Sequence, residues 1–426
     1  MKISALLIAS ASITAVAAVS AFAAAPAHKS AAHESSSAAP PPVATYWMDV
    51  STMSGFGAGM MGGGRPSLGQ MMSMMNGGGN AVAHMLSLRL SSRDRPAGDP
   101  QANHFIPAGM QMGVSLPLVT PPPPKQYTGT SSPSEPGSYE KPQGRILIYW
   151  GCGEHAGAGQ PMVIDFSKMA EGQIPPGLEA LAKMGRAMGR MAAREPTRDD
   201  SPGFGEWPNT KDSRVVPASA SLVGAHRVEG NYSPAMAFTL GQGQDFMPGL
   251  GLREAGAMPS GAERLDWTPA AQAAGYALAL FGGGQGGGHD MVIWTSGKSA
   301  SLFPAFDYES PTEVRQMIAA GAALPPSTSE CMLPAEVSRA VPQGMVMGIG
   351  YGPEAYFSES PKAPKWTARV RYKTTAMMMR GIGDMGGGDD GGYATNDGQQ
   401  QQPPPQQQPR KRRGLGLGDL LGSIPH

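Results

Sequence analysis

Short runs of strand-forming residues recur along this chain, each cut off by glycine or proline after a few positions. That punctuation constrains the fold more than any other feature. Ala44-Thr45-Tyr46-Trp47-Met48-Asp49-Val50 and Arg145-Ile146-Leu147-Ile148-Tyr149-Trp150 are rich in β-branched and aromatic residues, and His84 to Leu90 alternates apolar with polar positions, as a half-buried strand does. Further short strands are predicted at 104–107, 114–119, 162–166, 222–228, 235–240, 265–267, 275–281, 291–294 and 366–375. The 59 glycines and 41 prolines are each about double average usage, and charged residues make up only 15% of the chain. Such a composition favours strands and turns over long surface helices.

One long helix is expected. Leu178, Leu181, Met184, Met188 and Met191 fall on one side at 100° per residue, with Lys183, Arg186, Arg190 and Arg194 opposite. Ser310-Pro311-Thr312-Glu313 is a capping box with proline at the first helical position, so a short helix should run to about Ala320. The expected fold class is mainly β: two β-sandwich-like domains, 43–175 and 215–376, joined by an amphipathic helix and linker over 176–214. Residues 24–42 read as a linker. Residues 377–426, with a Gln/Pro run and Arg410-Lys411-Arg412-Arg413, read as a disordered tail.

Met1-Lys2, the apolar stretch 3–22 and the small-x-small triplet Ala21-Phe22-Ala23 have the order of a secretory signal peptide over 1–23. No later stretch approaches the roughly 20 apolar residues of a membrane helix. The expected location is periplasmic or secreted, with no transmembrane segment after cleavage. Net charge is zero, which gives no footprint for specific nucleic-acid binding. Cys152 and Cys331 are the two cysteines. In an oxidising compartment they either pair, stabilising by about 5 kcal/mol on the chain-entropy model, or remain as two buried thiols.

Four features carry candidate chemistry. The first is a Gly/Met-rich segment in which Met71, Met72, Met74 and Met75, with His84 and Met85, bring soft donors close together. Thioethers select Cu(I), so copper is the cofactor this segment suggests; a flexible apolar contact loop is the other reading. The second is the pair of dipeptides Glu154-His155 and His289-Asp290, candidate acids and bases of a hydrolase acting on envelope polysaccharide, or plain polar turns. The third, Gly57-x-Gly59-x-x-Gly62, matches a dinucleotide fingerprint in form but lacks the following helix pattern and acid. The fourth, Asp384, Asp389, Asp390 and Asp397, has the spacing of no calcium loop.

Two weak likenesses complete the reading. Leu147 to Gly153 aligns without a gap with Met291 to Gly297, an echo that suggests duplication. The succession Leu265-Asp266-Trp267-Thr268-Pro269, Gly275-Tyr276-Ala277-Leu278 and Val292-Ile293-Trp294 resembles a fibronectin type III domain. That resemblance implies an immunoglobulin-like sandwich, with the third strand in the opposite sheet, used for binding or spacing. The functional expectation is an exported, non-enzymatic binding or structural module of the cell envelope, with an envelope protein or glycan as partner. Periplasmic Cu(I) binding and polysaccharide hydrolysis are the alternatives.

Overall fold

The computed structural model describes residues 41–56, 58, 81–123, 144–166, 194–284, 290–300 and 307–381. The expected signal peptide, most of the 24–42 linker, the long helix up to 193, Met71 to Met75, His289 and the tail beyond 381 lie outside the described residues.

The described chain is mainly β. In order it runs β1 (Ala44–Gly55), β2 (Val82–Ser92), β3 (Ala102–Phe105), β4 (Ser115–Leu118), β5 (Arg145–Trp150), β6 (Met162–Asp165), β7 (Gly203–Trp207), β8 (Gly224–Gly230), β9 (Ser233–Leu240), β10 (Arg253–Ala257), β11 (Glu263–Asp266), β12 (Gly275–Gly283) and β13 (Met291–Thr295). It continues with α1 (Pro311–Ala319), β14 (Glu330–Leu333), α2 (Ala335–Ala340), β15 (Gly344–Ser358) and β16 (Trp366–Arg380). At α1, the Ser310 hydroxyl accepts from the Glu313 amide at 3.2 Å, and the Glu313 carboxylate accepts from the Ser310 amide at 2.7 Å. Both arms of the expected capping box are therefore made.

Nine strands form one large sheet in the order β6-β5-β13-β12-β15-β16-β1-β2-β7. The β1–β16 and β5–β13 pairs are parallel; the others are antiparallel. Smaller sheets, β4-β3-β8-β9 and β10-β11-β14, lie against it. Within the large sheet the four strands of 215–376 (β13, β12, β15 and β16) form one block between two pairs from 43–175 (β6 and β5, β1 and β2). The expected third strand of the fibronectin-like pattern, β13, pairs with β12 inside the same sheet instead of crossing to another. The echo strands β5 and β13 are parallel neighbours one residue out of their sequence alignment, with Trp294 opposite Tyr149. Trp150 and Trp294 thus leave opposite faces, which is not the geometry of two equivalent copies.

One face of the large sheet carries Tyr46, Met48, Leu88, Leu90, Val370, Leu278 and Trp294. It packs on Leu116, Val228 and Met236 of the four-stranded sheet and on Leu265 and Leu333 of the three-stranded sheet, in one continuous core. A disulfide joins Cys152, just past β5, to Cys331 in β14, and so ties the large sheet to the smallest one. Residues 203–207, expected as linker, form the edge strand β7. Its glycines are required: a Cβ at Gly205 would lie 2.5 Å from the Tyr232 hydroxyl, and one at Gly203 would lie 2.6 Å from the same ring. The last strand runs on to Arg380, three residues beyond the start of the expected tail at 377, because Met377 to Met379 pair with β15.

Candidate functional site

The other face of the large sheet is polar where β16, β1 and β2 adjoin. Register alone puts Arg371 opposite Asp49 and Asp49 opposite Ser87, while Trp47 stands between Arg369 and Arg89. Side chains at every second position share a face, so these residues project together. Asp49 and Arg371, both buried, form a two-pronged ion pair with N–O distances of 2.6 and 2.7 Å. Arg89 donates to Asp49 at 2.8 Å and to Glu195 at 3.0 Å, and Arg371 reaches Glu195 at 2.5 Å. Two guanidinium groups and two carboxylates thereby close a ring of charge-assisted hydrogen bonds.

Aromatic rings interleave with the cations above this ring. The Arg369 guanidinium lies 5.6 Å from the Tyr356 ring centre and 4.7 Å from that of Trp47. Arg371 lies 4.6 Å from Trp47 and 4.6 Å from Tyr308, and the Lys373 ammonium sits 4.1 Å over Tyr308. The result is a ladder, Tyr356–Arg369–Trp47–Arg371–Tyr308–Lys373, in which each contact is a cation over a ring face. Burial lowers the Lys373 pKa, with Asp307 acting against it, and raises that of Tyr308 well above its ordinary value. At the open end Tyr356 is 64% exposed, and its hydroxyl donates to Glu354 at 2.7 Å.

Beside the ladder, between β2 and the 207–216 segment, lies a cleft of about 610 Å³. Three cations (Arg89, Arg214, Lys373) and three carboxylates (Asp49, Glu195, Asp307) line it, so the lining is close to charge balance. Met85, Leu86, Pro208, Val215 and Val216 supply apolar wall. His84 also reaches the cleft. Its ring stacks on Phe246 at 3.9 Å, and its buried Nδ1 has no hydrogen-bond partner. Burial lowers its pKa, opposed by a hydrogen bond to the Pro217 carbonyl.

The residues singled out in the sequence are dispersed. His84 and Met85 are consecutive in β2, so their side chains leave the sheet on opposite faces, a poor arrangement for holding one ion. His155 pairs with Glu336 at 3.1 Å at the surface, while Glu336 accepts the Ala156 amide and is held down at about 2 chiefly by that bond. Asp290 is bound by Arg145, 2.5 Å away at the start of β5. Asp290 precedes β13 and His155 follows β5, its parallel partner, so they sit at opposite ends of the strand pair, roughly 15 Å or more apart. Glu154 and Asp290 are separated in the same way. Among the described residues, no group of three or more His, Cys, Asp or Glu side chains is placed to hold a metal ion.

A different polar chain is buried in the core. The Tyr46 hydroxyl contacts His104 Nδ1 at 2.8 Å, His104 Nε2 contacts His226 Nδ1 at 2.9 Å, and His226 Nε2 contacts the Leu222 carbonyl at 2.7 Å. The carbonyl can only accept. Each neutral ring therefore carries its proton on Nε2, and the chain runs donor to acceptor from Tyr46 to Leu222 with every partner satisfied. Burial lowers the pKa of both histidines.

Sequence reasoning missed the charge ring and the ladder. Their signal is the alternation Trp47-x-Asp49-x-Ser51 and Arg369-x-Arg371-x-Lys373, which reads equally well as the solvated face of two strands. No family model matches this sequence, and no match is found among curated proteins or solved structures. No helix among the described residues is long and apolar enough to cross a membrane.

Proposed function

We propose that this protein is an exported, non-enzymatic binding module of the cell envelope, and that its ligand is a neutral, hydroxyl-rich glycan segment seated in the cleft beside β2. The observation that carries this reading is the cleft's lining. Three cations and three carboxylates, several already fixed by ion pairs, offer donors and acceptors at set positions without a net field. Sugar hydroxyls both donate and accept, so they match such a lining, whereas a polyanion or polycation meets as much repulsion as attraction. The apolar wall from Pro208 to Val216 suits the C–H face of a sugar ring, and about 610 Å³ lies in the range of small-ligand sites. The pairing of Asp49, Glu195 and Asp290 with arginines also weighs against their acting as catalytic acids or bases.

The test is affinity electrophoresis of the chain through gels holding a neutral polysaccharide (a soluble glucan, a galactomannan or glycol chitin), with anionic lipopolysaccharide as the contrast. Retardation by a neutral polysaccharide, unchanged on raising salt, supports the reading. Free migration in all the neutral gels, or retardation by lipopolysaccharide alone, overturns it.

A further inference from the structure

Four of the five methionines at the far end of β15 and β16 form a second constellation, distinct from the cleft. In the antiparallel register Met345 stands opposite Met379, and Met347 opposite Met377. Opposite residues share a face, as do residues two apart along one strand, so all four side chains leave the same side of the sheet. Directly opposed Cβ atoms lie about 4.5–5.5 Å apart, and those two apart along a strand about 7 Å. All four side chains are half-buried. One strand over, Gly55 of β1 stands opposite Met377 and presents no side chain, while Met53 projects on the same face opposite Thr375. On the other flank, Ala279 of β12 is opposite Met347 and Phe281 is opposite Met345. Gly55 and Ala279 thus leave room beside the Met347–Met377 pair, Phe281 walls the Met345 side, and unbranched side chains with three rotatable bonds can adjust between them.

We infer that Met345, Met347, Met377 and Met379 form a thioether site for a soft monovalent cation, Cu(I) or its redox-inert counterpart Ag(I). Thioether sulfur is a soft, neutral donor that selects Cu(I) over the hard and borderline divalent ions. On this face of β16 the next side chain is that of Thr375, whose hydroxyl already donates to the Thr52 carbonyl, and the nearest cationic residue of the strand is Lys373, four residues along from Met377, roughly 13 Å away. Arg380 leaves the opposite face, where it pairs with Glu263. A thioether has no proton to lose, so binding here does not depend on pH as it would at a thiolate or imidazole site.

The test uses the full mature chain, Cu(I) held reduced by ascorbate, and competition against a chromogenic Cu(I) chelator, repeated with Ag(I) by native mass spectrometry. Two variants accompany it. One carries Met345→Leu, Met347→Leu, Met377→Leu and Met379→Leu, which conserve volume. The other changes Met60, Met61, Met71, Met72, Met74 and Met75 to leucine and leaves the sheet intact. The expected result is competition by the native chain, equal at mildly acidic and neutral pH, kept by the second variant and lost by the first while its circular dichroism and melting temperature hold. Met347→Leu alone, which disturbs packing least, should weaken competition measurably. No competition by the native chain overturns the inference. So does undiminished competition by the four-leucine variant, loss confined to the second variant, or loss of binding on mild acidification.

Discussion

Asp49 and Arg371 are 322 residues apart in the sequence and face each other across parallel strands, joined by two hydrogen bonds of 2.6 and 2.7 Å. This pair joins distant parts of the chain: β1 and β16, the first and last strands among the described residues, lie side by side in the large sheet. Removing Arg371 takes two hydrogen bonds from buried Asp49 and leaves Arg89 as its one remaining cation. Arg371→Leu should therefore cost less than the roughly 3–5 kcal/mol of a fully stranded buried charge in denaturant unfolding, and the double change Asp49→Leu with Arg371→Leu, which leaves Arg89 paired with Glu195, should recover much of that loss.

Protons should destabilise the core through the histidine chain. Both His104 and His226 have pKa values lowered by burial, so the folded state keeps them neutral where the unfolded chain, with values near 6.5, begins to take up protons. Their stabilisation is complete above that unfolded value. It is lost as pH falls from about 6.5 towards the lowered folded values, at about 1.4 kcal/mol per pH unit for each imidazole. Urea unfolding midpoints measured at neutral and mildly acidic pH should show this slope, and a His104→Phe/His226→Phe variant should flatten it.

The disulfide closes a loop of 179 residues. On the chain-entropy model its removal by Cys152→Ser/Cys331→Ser costs about 5 kcal/mol. Peptide mapping without reductant should recover the two cysteines in one linked peptide.

Gly205 tests the close approach of the four-stranded sheet to β7. Gly205→Ala should destabilise by about 1–3 kcal/mol, because its methyl group would meet the Tyr232 hydroxyl. That hydroxyl is buried and makes no hydrogen bond, so Tyr232→Phe alone should cost little and should relieve part of the Gly205→Ala penalty in a double-mutant cycle.

Much of the β architecture is legible in the sequence, because strands with branched and aromatic alternation, such as β1, β2, β5 and β12, announce themselves by period and turn residues. β15 does not. Its Gly348, Gly350 and Gly352 give no strand signal, yet added Cβ atoms there would press within 3.0 Å of Leu278, Tyr276 and the Tyr372 carbonyl. Glycine is the residue that lets this central strand sit against bulky neighbours. The interleaving of both halves in one sheet is hidden for another reason. Parallel pairing of β1 with β16 and of β5 with β13 is a long-range choice that no local pattern encodes. The polar site was obscured for the same reason, since Asp49, Glu195 and Arg371 become one group only when those strands meet. The capping box of α1, by contrast, is a purely local signal and could be read directly.

The most direct test of the account is calorimetric titration of the protein with neutral oligosaccharides such as chitooligosaccharides, set beside a variant in which the exposed cleft residue Ser213 is replaced by tryptophan. Saturable heat from the native protein that vanishes in Ser213→Trp, with its melting temperature unchanged, is the result the account predicts. Equal binding by both proteins, or none by the native chain, would contradict it.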